Sequence, residues 1–338
     1  MNKNLFFAMF SLAFLACHKD VHLNSATSMQ SSNSVTFPDT AKIPINDLGT
    51  GTYMGFTGGL YPGGANTPSG TYASDLVSFV SQILPFTSKG RVDSTGKGKI
   101  GVLGIGGSTC GDLFIALKNK TQGNPATNPY LRLVSCAWGG GKASLNNIMN
   151  PNDKYWSHVD TQLIKNRLKP TQVEIIFFDT EDSTSLVGFP GRPYQFRDEF
   201  EAAMRACKAK FSKLKVVYVT GRTTTFFQKE VQHKEPSPYY NGWGLKFAIE
   251  DQINGVPGMK YDGADAVAPL VTWAWYQWAN GTTTPRQDGF VWTPYMTADG
   301  LHANAVGLDT LSNRLQNFLL TDPVASIWYK NNNHRLKN

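Results

Sequence analysis

Cysteine and histidine are scarce in this chain, with four of the first and six of the second among 338 residues. No pair of them has a spacing that would close around a metal ion, so no metal site is expected, and no cofactor-binding pattern stands out. Charge is also sparse, at 17% Asp, Glu, Lys and Arg, and the net +7 comes from Lys and Arg scattered along the chain. Scattering of this kind argues against nucleic acid as a partner, while leaving contact with anionic lipid or polysaccharide open. The apolar run from Leu5 to Ala16, about a dozen residues, is too short for a permanent membrane span.

That run has another use. Lys3 gives a positive n-region, Leu5 to Ala16 an h-region, and Phe14-Leu15-Ala16-Cys17 resembles a loose bacterial lipobox whose cysteine is acylated after cleavage. Residues 1–16 therefore read as a lipoprotein signal peptide, and Cys17 as the lipidated residue of an exported protein anchored in the periplasm or at the cell surface. Residues 17–37 are rich in Ser, Asn and Thr and read as a flexible tether, 38–330 as one α/β domain, and 331–338 as a tail. With Cys17 lipidated, Cys110, Cys136 and Cys207 remain. A disulfide between Cys110 and Cys136 and a pair of buried thiols are both compatible with the sequence, and Cys207 lies on the apolar stripe of a helix.

Beyond the tether, strand and helix patterns alternate. Short apolar runs at Ile100 to Ile105, Leu131 to Ala137, Val173 to Phe178 and Val216 to Thr220 predict buried parallel strands, with a fifth expected within Ala264 to Val271. Phe196, Phe200, Met204, Cys207 and Phe211 recur every three to four residues, which predicts a helix with one buried stripe. Ala303 to Leu320 reads as the closing helix. The expected fold is a three-layer α/β/α, doubly wound parallel sheet of flavodoxin-like type with about five strands.

In such folds chemistry gathers beyond the carboxyl ends of the strands. Ser108 follows the first strand through Gly106-Gly107, Gly139 to Gly141 follow the second, and Asp179-Thr180-Glu181-Asp182 follows the third. Near the C-terminal end, Asp299 precedes His302 by three residues, a spacing at which a carboxylate orients an imidazole as a general base. Ser108, His302 and Asp299 together form a candidate nucleophile, base and orienting acid. His158 and His233 are read as having no comparable acidic partner at a fixed spacing.

These blocks resemble the SGNH (GDSL-like) hydrolases. Gly106-Gly107-Ser108 takes the place of the family's Gly-Asp-Ser, with Gly for Asp. Ala137-Trp138-Gly139-Gly140-Gly141 looks like the second block, whose glycine N–H helps form the oxyanion hole, and Asp299-x-x-His302 matches the fifth. The third block normally offers an Asn side chain, and here Asp179 to Asp182 holds its place. Gly55 to Pro62, Leu214 to Arg222 and Lys246 to Ile253 are further similar to an exported subgroup of these proteins.

The resemblance implies a serine esterase whose oxyanion hole uses Ser108, Gly139 or Gly140 and, if protonated, Glu181. An ionised Glu181 would repel the oxyanion, in which case the hole would run on backbone N–H groups alone. Trp273, Trp275, Tyr276, Trp278, Phe290, Trp292 and Tyr295 crowd the segment before Asp299. Packing is the default for such a cluster, but exposed rings there would suit an acylated carbohydrate or lipid ester, with Trp138, Trp292 and Tyr295 as the contacts. The alternative is a non-catalytic lipoprotein of the same fold that binds glycan or an envelope partner.

Overall fold

Burial on both faces marks the central strands. Every residue of β1 (Ile100–Gly106) is buried, as is every residue of β3 (Val173–Asp179), β4 (Val216–Val219) and β5 (Leu270–Trp273), whereas β2 (Leu131–Ser135) leaves Arg132 exposed. Strands covered on both sides read as continuous apolar runs, which is why β1, β3 and β4 were visible in the sequence. The computed structural model describes residues 42–182, 187–280 and 285–331 of the chain, which belong to one folded unit, Phe37–Asn338. The expected signal peptide, Cys17, the tether and nearly all of the expected tail lie outside the described residues.

The five strands form one parallel sheet in the order β2-β1-β3-β4-β5. Between them run α1 (Ser108–Thr121), α2 (Lys154–Lys165), α3 (Gly191–Lys210) and α4 (Ser237–Ile253), and α5 (Ala305–Thr321) follows β5. α1 packs with α5, and α3 packs with α4. The α/β class and the doubly wound order are those expected from the sequence. No helix among the described residues is long and apolar enough to cross a membrane.

The fifth strand is a correction. It occupies Leu270–Trp273, pairing Val216 with Leu270 and Val219 with Trp273. Most of the expected span is turn instead, because Val267 and Ala268 both donate their N–H groups to the Lys260 carbonyl. β5 is an edge strand, and the chain before β1 covers it. The Tyr61 hydroxyl bonds Thr272 Oγ1 at 2.8 Å, and the Trp273 indole N–H donates to the Leu60 carbonyl at 2.9 Å.

α3 forms as its periodicity predicts, with Phe196, Phe200, Met204 and Cys207 buried along it and Phe211 buried at its C-cap. Cys110, Cys136 and Cys207 are buried free thiols, so the Cys110–Cys136 disulfide is absent. Burial pushes all three thiols up, Cys136 and Cys207 to about 12, which leaves them protonated and inert at neutral pH.

Candidate active site

β1 delivers Ser108 through a turn that admits no bulk at one point. Gly106 pairs with Asp179 at the ends of β1 and β3, and a Cβ on Gly106 would meet the Asp179 carbonyl oxygen at 1.8 Å. The next glycine is different. Gly107, the N-cap of α1, has ordinary backbone angles, and a Cβ there would meet nothing within 4 Å, so the Asp of the SGNH pattern would fit. Ser108 is the first residue of α1, and its N–H has no intrahelical acceptor.

His302 is held just as firmly. Asp299 Oδ1 accepts from the N–H groups of Leu301 at 2.9 Å and His302 at 2.7 Å, closing a turn around Gly300. Gly300 has φ +83°, and a Cβ there would lie 1.9 Å from the Phe226 carbonyl oxygen. Two residues past His302, the Asn304 side chain caps α5, accepting from the N–H groups of Val306 and Gly307. Between these two fixed points the imidazole Nδ1 meets Asp299 Oδ2 at 2.7 Å, and Nε2 meets Ser108 Oγ at 2.7 Å. Burial pushes the Asp299 carboxyl up, but bonds from the backbone and ring of His302 and the backbone of Leu301 outweigh it and hold Asp299 at about 2. It is therefore a carboxylate at neutral pH, suited to fix the ring's tautomer.

The loop after β2 passes close to the serine. A Cβ built on Gly139 would stand 3.4 Å from Ser108 Cβ and 3.9 Å from Oγ, so its backbone lies against Ser108. Gly140 and Gly141 follow at φ +69° and +71°, turning the loop back. Ser108, His302, Trp138, Gly140 and Glu181 are among the residues around a cavity of about 190 Å³.

Glu181 differs from expectation. Its Oε2 forms an ion pair with Arg222 Nη1 at 2.9 Å and accepts a hydrogen bond from His233 Nδ1 at 2.9 Å, with the Glu181 and Arg222 side chains only 13% and 5% exposed. Burial raises the carboxyl's pKa, yet Arg222 and then His233 outweigh it and leave it below the ordinary value. An ionised acceptor cannot donate to an oxyanion, so the protonated-Glu181 reading is corrected. The charge it would have aimed at the oxyanion is balanced by Arg222. The reading of His233 as lacking an acidic partner is corrected twice over, since Glu181 is brought to it from a distant part of the chain and Glu230, three residues before it, places Oε2 3.5 Å from its Nε2. Arg222 and His233 were missed as site residues, although Arg222 stands just past the end of β4, where the strand-end rule points.

The aromatic segment is mostly core. Trp273, Tyr276, Trp278, Phe290 and Trp292 are buried, and the Trp292 indole N–H donates to the Thr224 carbonyl at 3.0 Å, so Trp292 packs in the core and presents no exposed face as the expected contact would need. Tyr295 is 90% exposed. Trp138 stacks on His158 with ring centroids 4.7 Å apart and the Lys142 ammonium 5.2 Å from its own centroid. Among the described residues no group of His, Cys, Asp and Glu is placed to hold a metal ion.

No family model matches the sequence, and no curated protein does. Among solved structures, the lipopolysaccharide acetyltransferase periplasmic domain of Salmonella ser. Paratyphi A is similar at 14% identity, over 74% of this chain and 100% of that one, with a TM-score of 0.36. The salicylyl-acyltransferase SsfX3 from a tetracycline biosynthetic pathway is similar at 11% identity, over 68% of this chain and 57% of that one, with a TM-score of 0.36. The parallel sheet thus brings Ser108, the Gly139 loop and the Asp299–His302 pair together beyond its strand ends.

Proposed function

We propose that this chain is a serine esterase that works through an acyl-enzyme. The observation that carries the reading is the unbroken line from Asp299 through His302 to Ser108, two contacts of 2.7 Å at the wall of a cavity. His302 Nε2 takes the proton of Ser108 Oγ as the oxygen attacks an ester carbonyl. The C–O bond to the leaving alcohol then breaks, and the alcohol receives that proton from His302. Water deprotonated by His302 attacks the acyl-enzyme, releases the acid and returns Ser108. The backbone N–H groups of Ser108 and of Gly139 or Gly140 hold the oxyanion in both steps.

The alternative of a non-catalytic binding protein drew on two departures from the family pattern, Gly107 and Glu181. Neither weighs against hydrolysis, since the turn at Gly107 is sterically open and the charge of Glu181 is balanced by Arg222. Trp138 at the cavity and the exposed Tyr295 favour an acyl group carried on a carbohydrate or lipid, which suits an exported protein tethered through Cys17.

Hydrolysis of a chromogenic acyl ester by the purified full chain tests the reading. Ser108→Ala and His302→Ala should each remove nearly all turnover, and the double variant should lose no more than either alone, because the two groups act as a unit. Additive losses, or activity that survives Ser108→Ala, would refute it.

A further inference from the structure

Next to the substrate cavity, sharing Thr109, Arg222 and Leu301 with it, lies a much smaller cavity of about 20 Å³. Three of the residues around it have a buried polar atom without a hydrogen-bond partner, Asp179 Oδ1, Arg222 Nε and Gln277 Nε2, and a fourth buried polar atom, Thr109 Oγ1, lies against the Asp179 carboxyl. They come from four different places, the first turn of α1, the end of β3, the segment after β4 and the segment after β5. The side chains of Asp179, Arg222 and Gln277 belong to residues no more than 8% exposed, so solvent does not satisfy them. Leaving such groups unpaired is costly, and native proteins rarely do so.

We infer that this cavity binds one water molecule, which ties Arg222 to the first turn of α1 and makes Arg222 a positioning residue for Ser108. The size fits, because a single water needs at least roughly 10 to 15 Å³. The valences fit as well. Arg222 Nε–H and the Gln277 amide donate to the water, the water donates to Asp179 Oδ1, and the Thr109 hydroxyl takes its fourth position. An anion would face the Asp179 carboxyl and a cation the Arg222 guanidinium, so neither matches all four groups. The Asp179 carboxyl lies next to Arg222 and Glu181, and burial with that neighbouring carboxylate raises its pKa to about 6 against the pull of Arg222. The water therefore completes a chain of polar contacts from Gln277 through Arg222 to Glu181 and His233, with Thr109 attached beside the nucleophile.

The water site stands on geometry alone, and its kinetic consequence rests on the esterase reading. A high-resolution crystal structure of the full chain tests the site. Density for one oxygen at about 2.7 to 3.2 Å from those four atoms is expected. An unfilled cavity, an ion in place of the water, or direct bonds pairing Asp179 Oδ1, Arg222 Nε and Gln277 Nε2 with one another would overturn the inference. Arg222→Lys tests the positioning role, because Lys keeps a positive charge beside Glu181 but cannot also present the Nε–H. In this variant kcat should fall about tenfold with KM little changed, the equivalent of one hydrogen bond to a charged group. Wild-type kcat in Arg222→Lys would show that only the charge matters. Gln277→Leu leaves the Arg222–Glu181 pair intact and should also weaken the density and lower kcat, and a chain without esterase activity would still show or lack the water.

Discussion

Replacing Arg222 by Met removes a cationic partner of a carboxylate that is only 13% exposed. Breaking a buried pair from one side costs about 3 to 5 kcal/mol, because the remaining charge stays desolvated. The lower end applies here, since His233 still donates to Glu181 Oε2 at 2.9 Å. Glu181→Gln strands the other charge, the Arg222 guanidinium at 5% exposure, and should cost a similar amount of about 3 kcal/mol. In the double variant no unpaired charge remains at the pair, so the loss should be close to that of one single variant. That amounts to a coupling energy of about 3 kcal/mol, at the top of the range for residues in contact. Urea unfolding measures it, provided the slopes agree so that midpoints report stability. Single losses below about 1 kcal/mol, or losses that add within about 0.5 kcal/mol, would refute the reading of Glu181 and Arg222 as a buried ion pair.

Asp299→Asn should preserve the fold but lower kcat on the order of 10⁴-fold by allowing the wrong imidazole tautomer, as a pH–rate series on wild type and variant would show. Glu174 is fully buried, and burial, opposed by a bond from the Leu84 N–H and by Lys215, raises its pKa to about 9. Its neutral form is preferred in the folded state, so it costs nothing below pH 4.5 and progressively destabilises the protein as pH rises from there towards 9. Glu174→Gln should therefore flatten that decline in a series of unfolding midpoints against pH, and an unchanged slope would contradict the assignment. Gly106→Ala should destabilise the chain by at least about 1 to 3 kcal/mol through overpacking against Asp179, whereas Gly107→Asp, at an open N-cap, should be neutral or stabilising in thermal unfolding.

Much of this architecture was legible because its signals are local. The runs that became β1, β3 and β4 are buried on both faces, and such strands announce themselves in a single stretch of sequence. β5 was displaced because Ala264 to Ala268 is apolar enough to imitate a strand while its N–H groups are spent on a turn. Ser108, Asp299 and His302 were found from strand ends and from a three-residue spacing, both of which survive in one dimension. The partners of Glu181 were not found, because Arg222 and His233 reach it only through the folding of the sheet. Nor could composition tell a core aromatic from an exposed one, which is how Trp292 was grouped with Tyr295.

Intact mass of the full chain after exposure to a fluorophosphonate probe tests the central claim most directly, because it reports activation of the nucleophile without any choice of substrate. One adduct on the wild type, mapped to Ser108 and absent from Ser108→Ala, is the expected result. A folded wild-type chain that takes up no probe, or one labelled equally after Ser108→Ala, would contradict the account.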